Sequence, residues 1–332
     1  DMKNVTVKKR QKISGTAVKI VIGVVCAVLI AYMLSMIFML CWGLLSSFKS
    51  QDDFAMNVLG LPKINAPWKG KDDPRSSYKY LVQFKNYKDV ISQFRYVAET
   101  SFYQGSKLVS HTRQQSFFTL LSSSVLYAAG NGFLQAIIPA IMAYMCAKYA
   151  YKFSKVVYMV VLVVMTLPII GAYPSELILL RNLGLYDTWY GNFIQRCSFT
   201  GMYFLVFYEL FKGMPDTYSE AAEIDGASQL VVMVRIYLPL AAKMIASVFL
   251  IKFIFFWNDF SSIELYMPTH QTLAYYIYLL STNNTPETTS DVPVTTPLII
   301  SACMILAVPT IILFLALQNK LMGSMTLGGI KE

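Results

Sequence analysis

The sequence predicts an all-α membrane protein with six transmembrane helices. Three observations carry that prediction: a charge-poor, apolar composition, charge-free runs long enough to cross a bilayer, and a Lys/Arg bias that alternates between successive loops. Of 332 residues, 55% are hydrophobic and only 14% charged, and the mean hydropathy is +0.48. Soluble domains carry about a quarter charged residues, so lipid is the expected solvent for most of this chain. Strands with open edges would leave backbone groups unpaired in hydrocarbon, so the spans are read as helices.

The elements follow in order. Residues 1–19 form a basic tail with Lys3, Lys8, Lys9, Arg10, Lys12 and Lys19. The positive-inside rule assigns it to the cytoplasm. Residues 20–48 hold no Asp, Glu, Lys or Arg. The run exceeds the 7–15 apolar residues of a cleaved signal peptide and shows no clear small-residue cleavage site, so it reads as an uncleaved span. Residues 49–116 fall outside the membrane. That segment is too long for a bare connection and is expected to form a small ordered cap, with Pro62, Pro67 and Pro74 followed by patterned stretches at 78–84 and 87–96.

Residues 117–147 and 297–319 are charge-free and form the second and sixth spans. Residues 156–180 form the third, interrupted by Glu176 and broken toward its outer end by Pro168, Gly171 and Pro174. Such non-helical backbone is tolerated only where protein covers it or it faces a water-filled cavity. Residues 181–193, with Gly184, Trp189 and Gly191, read as an outer re-entrant or interfacial helix. Residues 193–211 form the fourth span, with Arg196 and Glu209 near its ends, and 240–266 the fifth, carrying Lys243, Lys252, Asp259 and Glu264. Residues 281–296 are a Thr-, Asn- and Pro-rich outer loop. Its Asn283-Asn284-Thr285 reads as a chance match to a glycosylation sequon.

The loop charges agree with this topology. Lys148, Lys152 and Lys155 flank one inner loop, Lys212, Arg235 and Lys243 lie along another, and Lys320 and Lys331 mark the C-terminal tail at 320–332. The outer loop 267–296 has neither Lys nor Arg. The net charge of +9 is therefore attributed to topology, not to nucleic acid. The five cysteines, Cys26, Cys41, Cys146, Cys197 and Cys303, are odd in number and suit neither a metal nor a disulfide framework.

Residues 212–239 are the polar island of the chain. Thr217 and Glu220 fit a capping box after Pro215, so a helix is expected to begin there. Ala221, Ala222, Ile224 and Ala227 give it a small apolar face, and Gly226 can end it. A second apolar stretch, 230–236, leads to Pro239, which fits the start of the fifth span. The expected product is two short helices joined at a glycine. Glu220, Glu223 and Asp225 make the island acidic. Anionic lipid disfavours such a surface, so a protein is the expected partner.

The spacing Glu-Ala-Ala, three residues, Gly, nine residues, Ile, one residue, Leu-Pro is met by Glu220, Ala221, Ala222, Gly226, Ile236, Leu238 and Pro239. On it the chain resembles the permease subunits of binding-protein-dependent ABC importers. Further segments are similar to the carbohydrate branch: Ser46-Ser47-Phe48-Lys49, Asn86-Tyr87, Leu183-Gly184-Leu185, Ile224-Asp225-Gly226-Ala227 and Trp257-Asn258-Asp259-Phe260. The segment 64–116 departs from that branch by its length, and Lys252 by lying within a span. The resemblance implies a MalG/MetI-like permease fold in a bacterial cell membrane. It implies that Glu220–Gly226 and Ile236–Pro239, including Glu223 and Asp225, form a coupling helix that docks on a cytosolic ATPase subunit dimer. It also implies a second homologous permease subunit, an extracytoplasmic solute-binding protein and a sugar substrate. ATP and Mg would sit on the partner ATPase, and this chain would be no enzyme. In agreement, the sequence contains no G-x-x-x-x-G-K-[ST] phosphate loop.

Candidate pathway residues are Lys252, Trp257, Asn258 and Asp259. Ionisable groups within a span are expensive and mark function. Lys252 and Asp259, seven apart, share a helical face. They neutralise each other, pair with the second permease, or line the route, in which case Lys252 favours an acidic sugar. Trp257, Tyr275, Tyr276 and Tyr278 either stack on sugar rings or form an interfacial belt. His111 and His270 are isolated in sequence and receive no metal or catalytic role. A polar solute such as glycerol-phosphate is the alternative cargo. A secondary transporter would need repeats and ion ligands that the sequence does not display, and a membrane enzyme would need a catalytic set that is not visible.

Overall fold

The computed structural model describes residues 16–63, 84–149, 152–167, 171–282, 284 and 293–325. The basic residues before Lys19, Pro67, Pro74, residues 78–83, Pro168, Lys331 and all of the sequon but Asn284 lie outside them. The chain is mostly helical and divides into two compact units, Asp1–Phe84 and Lys85–Glu332.

In the first unit, α1 (Thr16–Ser47) exposes apolar side chains all round from residue 18 to residue 41. A helix with no polar face is suited to lipid. Just past its end Lys49 is buried, and its Nζ donates to the carbonyls of Asn57 at 2.6 Å and Val58 at 3.0 Å. Trp42 Nε1 donates to the same Val58 carbonyl at 2.9 Å. Ser50 caps α2 (Gln51–Met56) by accepting from the Asp53 amide at 3.2 Å. The Ser-Ser-Phe-Lys segment thus closes the turn below α1.

The second unit opens with α3 (Lys85–Gln93) and an antiparallel hairpin of β1 (Tyr96–Gln104) and β2 (Lys107–Gln115). The hairpin departs from the all-α expectation. Tyr96, Ala98 and Phe102 are buried while Val97, Glu99 and Ser101 are exposed, the period of two that a half-buried strand requires. Gly105, at φ +61°, opens the two-residue turn, as a type II′ hairpin demands.

Next comes α4 (Phe117–Lys148), capped by Ser116, which accepts from the Thr119 amide at 3.3 Å. It is followed by α5 (Lys152–Thr166), α6 (Ala172–Asn182), α7 (Trp189–Arg196), α8 (Met202–Lys212), α9 (Thr217–Ile224) and α10 (Gln229–Val232). A π-helical turn at Met233–Tyr237 leads into α11 (Leu238–Leu240) and α12 (Ala242–Trp257). The chain closes with α13 (Ser261–Tyr266), α14 (Leu273–Ser281) and α15 (Thr296–Met325).

Among the described residues three helices are individually long and apolar enough to cross a membrane: Val18–Ser47, Phe117–Lys148 and Thr296–Ala316. The pair Gln229–Leu240 and Ala242–Trp257, bent by 71° at its break, reaches the same length and hydropathy only when its two helices are counted together. The expected third, fourth and fifth spans are discontinuous. Of the third, α5 ends at Thr166 and α6 begins at Ala172, just after Gly171 with φ +82°. The fourth breaks between Arg196 and Met202, where Gly201 has φ +147°. The helix of the fifth ends at Trp257.

α4 is the axis of the unit and packs against α8 and α12. Its buried row runs Leu120, Tyr127, Ala128, Ala136, Ala140, Ala143, Tyr144, and supplies all three apolar clusters. The alanines let neighbouring backbones approach closely. Leu120 joins Phe94, Tyr96 and Tyr276 near the hairpin, while Tyr144 joins Phe207, Phe211 and Tyr237 at the opposite end.

Candidate functional site

The site at the far end of α4 is built on α9–α11. α9 starts at Thr217, where the sequence places it, but through a different cap. Asp216 is the N-cap residue and makes no side-chain cap hydrogen bond. Its carboxylate turns to Lys148 instead, with Nζ–Oδ1 2.7 Å. The capping box expected from Thr217 and Glu220 is not formed, because the N-cap falls one residue earlier, on Asp216, and Thr217 is already the first helical residue. Lys148 also donates to the Met214 carbonyl at 2.6 Å and lies 5.1 Å over the Tyr237 ring.

The helix ends in a Schellman motif. Ala227 N donates to Ala222 O at 2.9 Å and Gly226 N to Glu223 O at 3.0 Å. The motif needs a left-handed residue after the helix, and Gly226 supplies it with φ +77°. No heavy atom lies within 4 Å of where its Cβ would stand, so the requirement is conformational and not one of space. Beyond the glycine, Gln229 Nε2 donates to Glu223 Oε1 at 2.6 Å, and Tyr149 Oη donates to Gln229 Oε1 at 2.7 Å. Tyr237 is buried and donates to the Pro215 carbonyl at 3.3 Å. The two arms of the hairpin are therefore tied both to each other and to the end of α4.

Among the residues singled out in the sequence, Glu220, Ala221, Glu223, Asp225, Gly226 and Pro239 are exposed, whereas Ala222, Ile236 and Leu238 are half-buried against the Tyr144 cluster. The small apolar face expected on α9 is split. Ala222 and Ala227 pack inward, while Ala221 and Ile224 face out, Ile224 at 87% exposure. Leu230 is 68% exposed on the second arm. Sequence reasoning passed over Ile224 and Leu230 as contact residues. Two large apolar side chains on either side of the glycine, with Asp225 between them, were the available signal.

The pathway candidates do not form one group. Trp257 is buried and donates through Nε1 to the Leu306 carbonyl at 2.9 Å, so it is a packing residue. Asn258 Nδ2 donates to the Ile254 carbonyl at 2.9 Å and closes α12. Asp259 lies past the helix end and accepts from Tyr127 Oη at 3.0 Å and from the Ser262 amide at 3.1 Å. It does not share a face with Lys252, because α12 stops between them. Lys252 instead lies over the rings of Tyr203 at 5.1 Å and Phe255 at 5.7 Å. Tyr275 and Tyr276 are buried, and Tyr278 stacks on Phe260 with ring centroids 4.4 Å apart.

The two histidines are isolated in sequence but not in space. Both meet Asp187, with His111 Nδ1 2.7 Å from Oδ2 and His270 Nδ1 3.4 Å from Oδ1. Thr269 adds its amide at 3.0 Å and its hydroxyl at 2.6 Å. Asp187 holds φ +56° and its carboxylate is fully buried. Burial alone would push that carboxyl up. The hydrogen bonds from His270, from the Thr269 side chain and amide, and from His111 together outweigh it and hold the group below its ordinary range. The cluster ties β2, the α6–α7 loop and the α13–α14 loop at the hairpin end.

Residues 135–323 match the family described as the binding-protein-dependent transport system inner membrane component, and the chain belongs to that family. It is a membrane permease subunit. It is 25% identical over 210 residues to a diacetylchitobiose uptake system permease protein of Streptomyces coelicolor, covering 62% of this chain and 67% of that one. It is 24% identical over 219 residues to a trehalose transport system permease protein of Mycobacterium tuberculosis, covering 64% and 78% respectively. Its fold is similar to that in the crystal structure of a bacterial ABC transporter involved in the import of the acidic polysaccharide alginate. The TM-score is 0.65 at 18% identity, over 93% of this chain and 99% of the other.

Proposed function

We propose that this chain is the pore-forming subunit of an ATP-driven importer of oligosaccharides or other sugars. It sits in a bacterial cytoplasmic (inner) membrane, with the sequence ends and the α9–α11 hairpin on the cytoplasmic side. A second, homologous permease completes the pore. A cytosolic ATPase dimer, which holds ATP and Mg, grips the hairpin, and an extracytoplasmic binding protein delivers the sugar at the β-hairpin end.

The observation that carries this reading is a short acidic helix with an exposed apolar tip, Ile224, on a base fastened to α4 by Lys148 and Tyr237. Such a hairpin transmits displacement instead of absorbing it, and it buries Ile224 only when a partner covers it. Coupling requires that this contact differ between two global states. The sugar permeases to which the chain is similar support the cargo class.

A mild-detergent pull-down of the chain expressed with its neighbouring genes, followed by reconstitution, tests the reading. The expected result is co-purification of an ATPase and a second permease, with sugar uptake that requires ATP and binding protein. Uptake by the chain alone, without nucleotide, contradicts it.

A further inference from the structure

A cavity of about 400 Å³ opens where the expected fourth span breaks. It is lined by Gln135 and Pro139 of α4, by the 198–204 stretch that leads into α8, and by Lys252 of α12. Three elements fix its depth independently. α8 runs 11 residues from the cavity to its other end, about 16 Å. Lys252 stands ten residues past the start of α12, about 15 Å. Pro139 and Gln135 stand nine and thirteen residues before Lys148, about 13 and 20 Å. All three place the cavity near half the ~30 Å hydrocarbon thickness.

At that depth irregular backbone requires a protein cover or a watery cavity. Among the described residues the one charged side chain that lines the cavity is Lys252. Lys252 rests on the Tyr203 and Phe255 rings and has no carboxylate within ion-pair distance among the described residues. Arg196, the other cation nearby, does not line the cavity and stands in the neighbourhood of Asp259 and Glu176. Arg196 donates to Ser262 Oγ at 2.7 Å, lies over the Phe256 ring at 5.5 Å, and keeps a buried Nε that meets no acceptor. The N-terminus of α8 also faces the cavity. Its N-cap, Gly201, has no side chain to cap it, so the positive end of the helix dipole remains uncompensated.

A lysine with no carboxylate within ion-pair distance, beside a helix N-terminus at mid-membrane, carries a large desolvation cost. A broken helix whose N-terminus faces an anionic group is a recurrent substrate-site geometry in transporters. The geometry points to a subsite for a carboxylate of the transported sugar: Lys252 and the α8 N-terminus bind a uronate unit, and Gln135, Ser198 and Thr200 offer hydrogen bonds to ring hydroxyls. This rests on the importer reading and specifies its cargo as an acidic oligosaccharide.

The test uses the ATPase-loaded complex in nanodiscs of zwitterionic lipid, without binding protein. Calorimetry compares trigalacturonate with its methyl ester, which keeps the rings and removes the charge. The wild type is expected to prefer the acid by on the order of ten-fold or more, as one charge-assisted hydrogen bond gives. Lys252→Met brings that ratio toward one, and Lys252→Arg preserves most of it. Equal binding of both probes, binding of neither, or an unchanged ratio in Lys252→Met overturns the subsite. So does loss of the second permease from the Lys252→Met complex, which would make Lys252 an interface ion pair. Competition of trigalacturonate by added phosphatidylglycerol, showing that a lipid headgroup holds the site, overturns it as well. Failure of the wild-type complex to retain any ATPase sinks the importer reading itself, so the two failures are separable.

Discussion

Lys148, the last residue of α4, places its Nζ 2.7 Å from Asp216 Oδ1 at the threshold of α9. The same amine holds the Met214 carbonyl, and its side chain is only 7% exposed. The long axial helix and the α9–α11 hairpin are thereby made into one mechanical piece. Lys148→Met removes the charge-assisted bonds and should loosen the hairpin by about 1.5–3 kcal/mol. Limited proteolysis within 212–229 is expected to speed up, and hydrolysis in the complex to stop responding to loaded binding protein. Asp216→Asn should do less, under about 1 kcal/mol, because the carboxylate is 72% exposed.

Gly226 should tolerate substitution by the left-handed tolerance of the new residue, not by its size. Its φ is +77° and its would-be Cβ is unobstructed. Gly226→Val is expected to cost about 1–2 kcal/mol locally, and Gly226→Asn less. The ratio of sugar transported to ATP hydrolysed should fall most for valine, while membrane insertion, read by yield, stays unchanged. Equal coupling in valine and asparagine variants would contradict the argument.

Ile224 and Glu220 should contribute differently to the ATPase contact. Burying a side chain that is 87% exposed in the free chain supplies apolar area, whereas an exposed carboxylate supplies orientation and association rate. Ile224→Asp is expected to lower ATPase affinity about ten-fold or more, an anchor-residue effect. Glu220→Lys should weaken association chiefly at low salt. Quantitative pull-down across a salt series distinguishes them.

Asp187 should act as an acid-labile tie at the β-hairpin end. Its carboxyl is held below the ordinary range by hydrogen bonds that exceed the burial term. Its stabilisation is therefore fully present above the unfolded carboxyl value and lost as pH falls through the depressed one. Between roughly pH 5 and 8 this group should leave thermal stability flat, with the loss confined to stronger acid. Asp187→Asn should cost about 2–3 kcal/mol at neutral pH by weakening four hydrogen bonds to a buried group. Thermal unfolding of the purified complex reads both effects.

The helical membrane class was legible because desolvation of charge is written directly into composition, and α4 and α15 closely follow the charge-free runs. The hairpin at 212–239 was legible because Gly226 and the Leu238-Pro239 pair sit at fixed offsets. Three features were not. The β-hairpin hid because its strands lack a clean apolar alternation: Val97 and Tyr103 are apolar yet exposed, and residues 110–115 hold no apolar side chain. The Asp187 cluster joins residues 76 and 83 positions apart, a proximity set by tertiary packing alone. Lys252 and Asp259 share a face only on an unbroken helix, and α12 ends at Trp257, so the expected pair dissolved into two separate environments.

The central claim is that the α9–α11 hairpin is a lever held by the ATPase. The most direct measurement is site-specific cross-linking from position 224. With Cys26, Cys41, Cys146, Cys197 and Cys303 replaced, Ile224→Cys should form a cross-link to a cysteine in the ATPase cleft, and the yield should change with ATP. Unimpeded labelling of that cysteine in the assembled complex by a membrane-impermeant maleimide added from the extracytoplasmic side, with no cross-link to the ATPase, would contradict it.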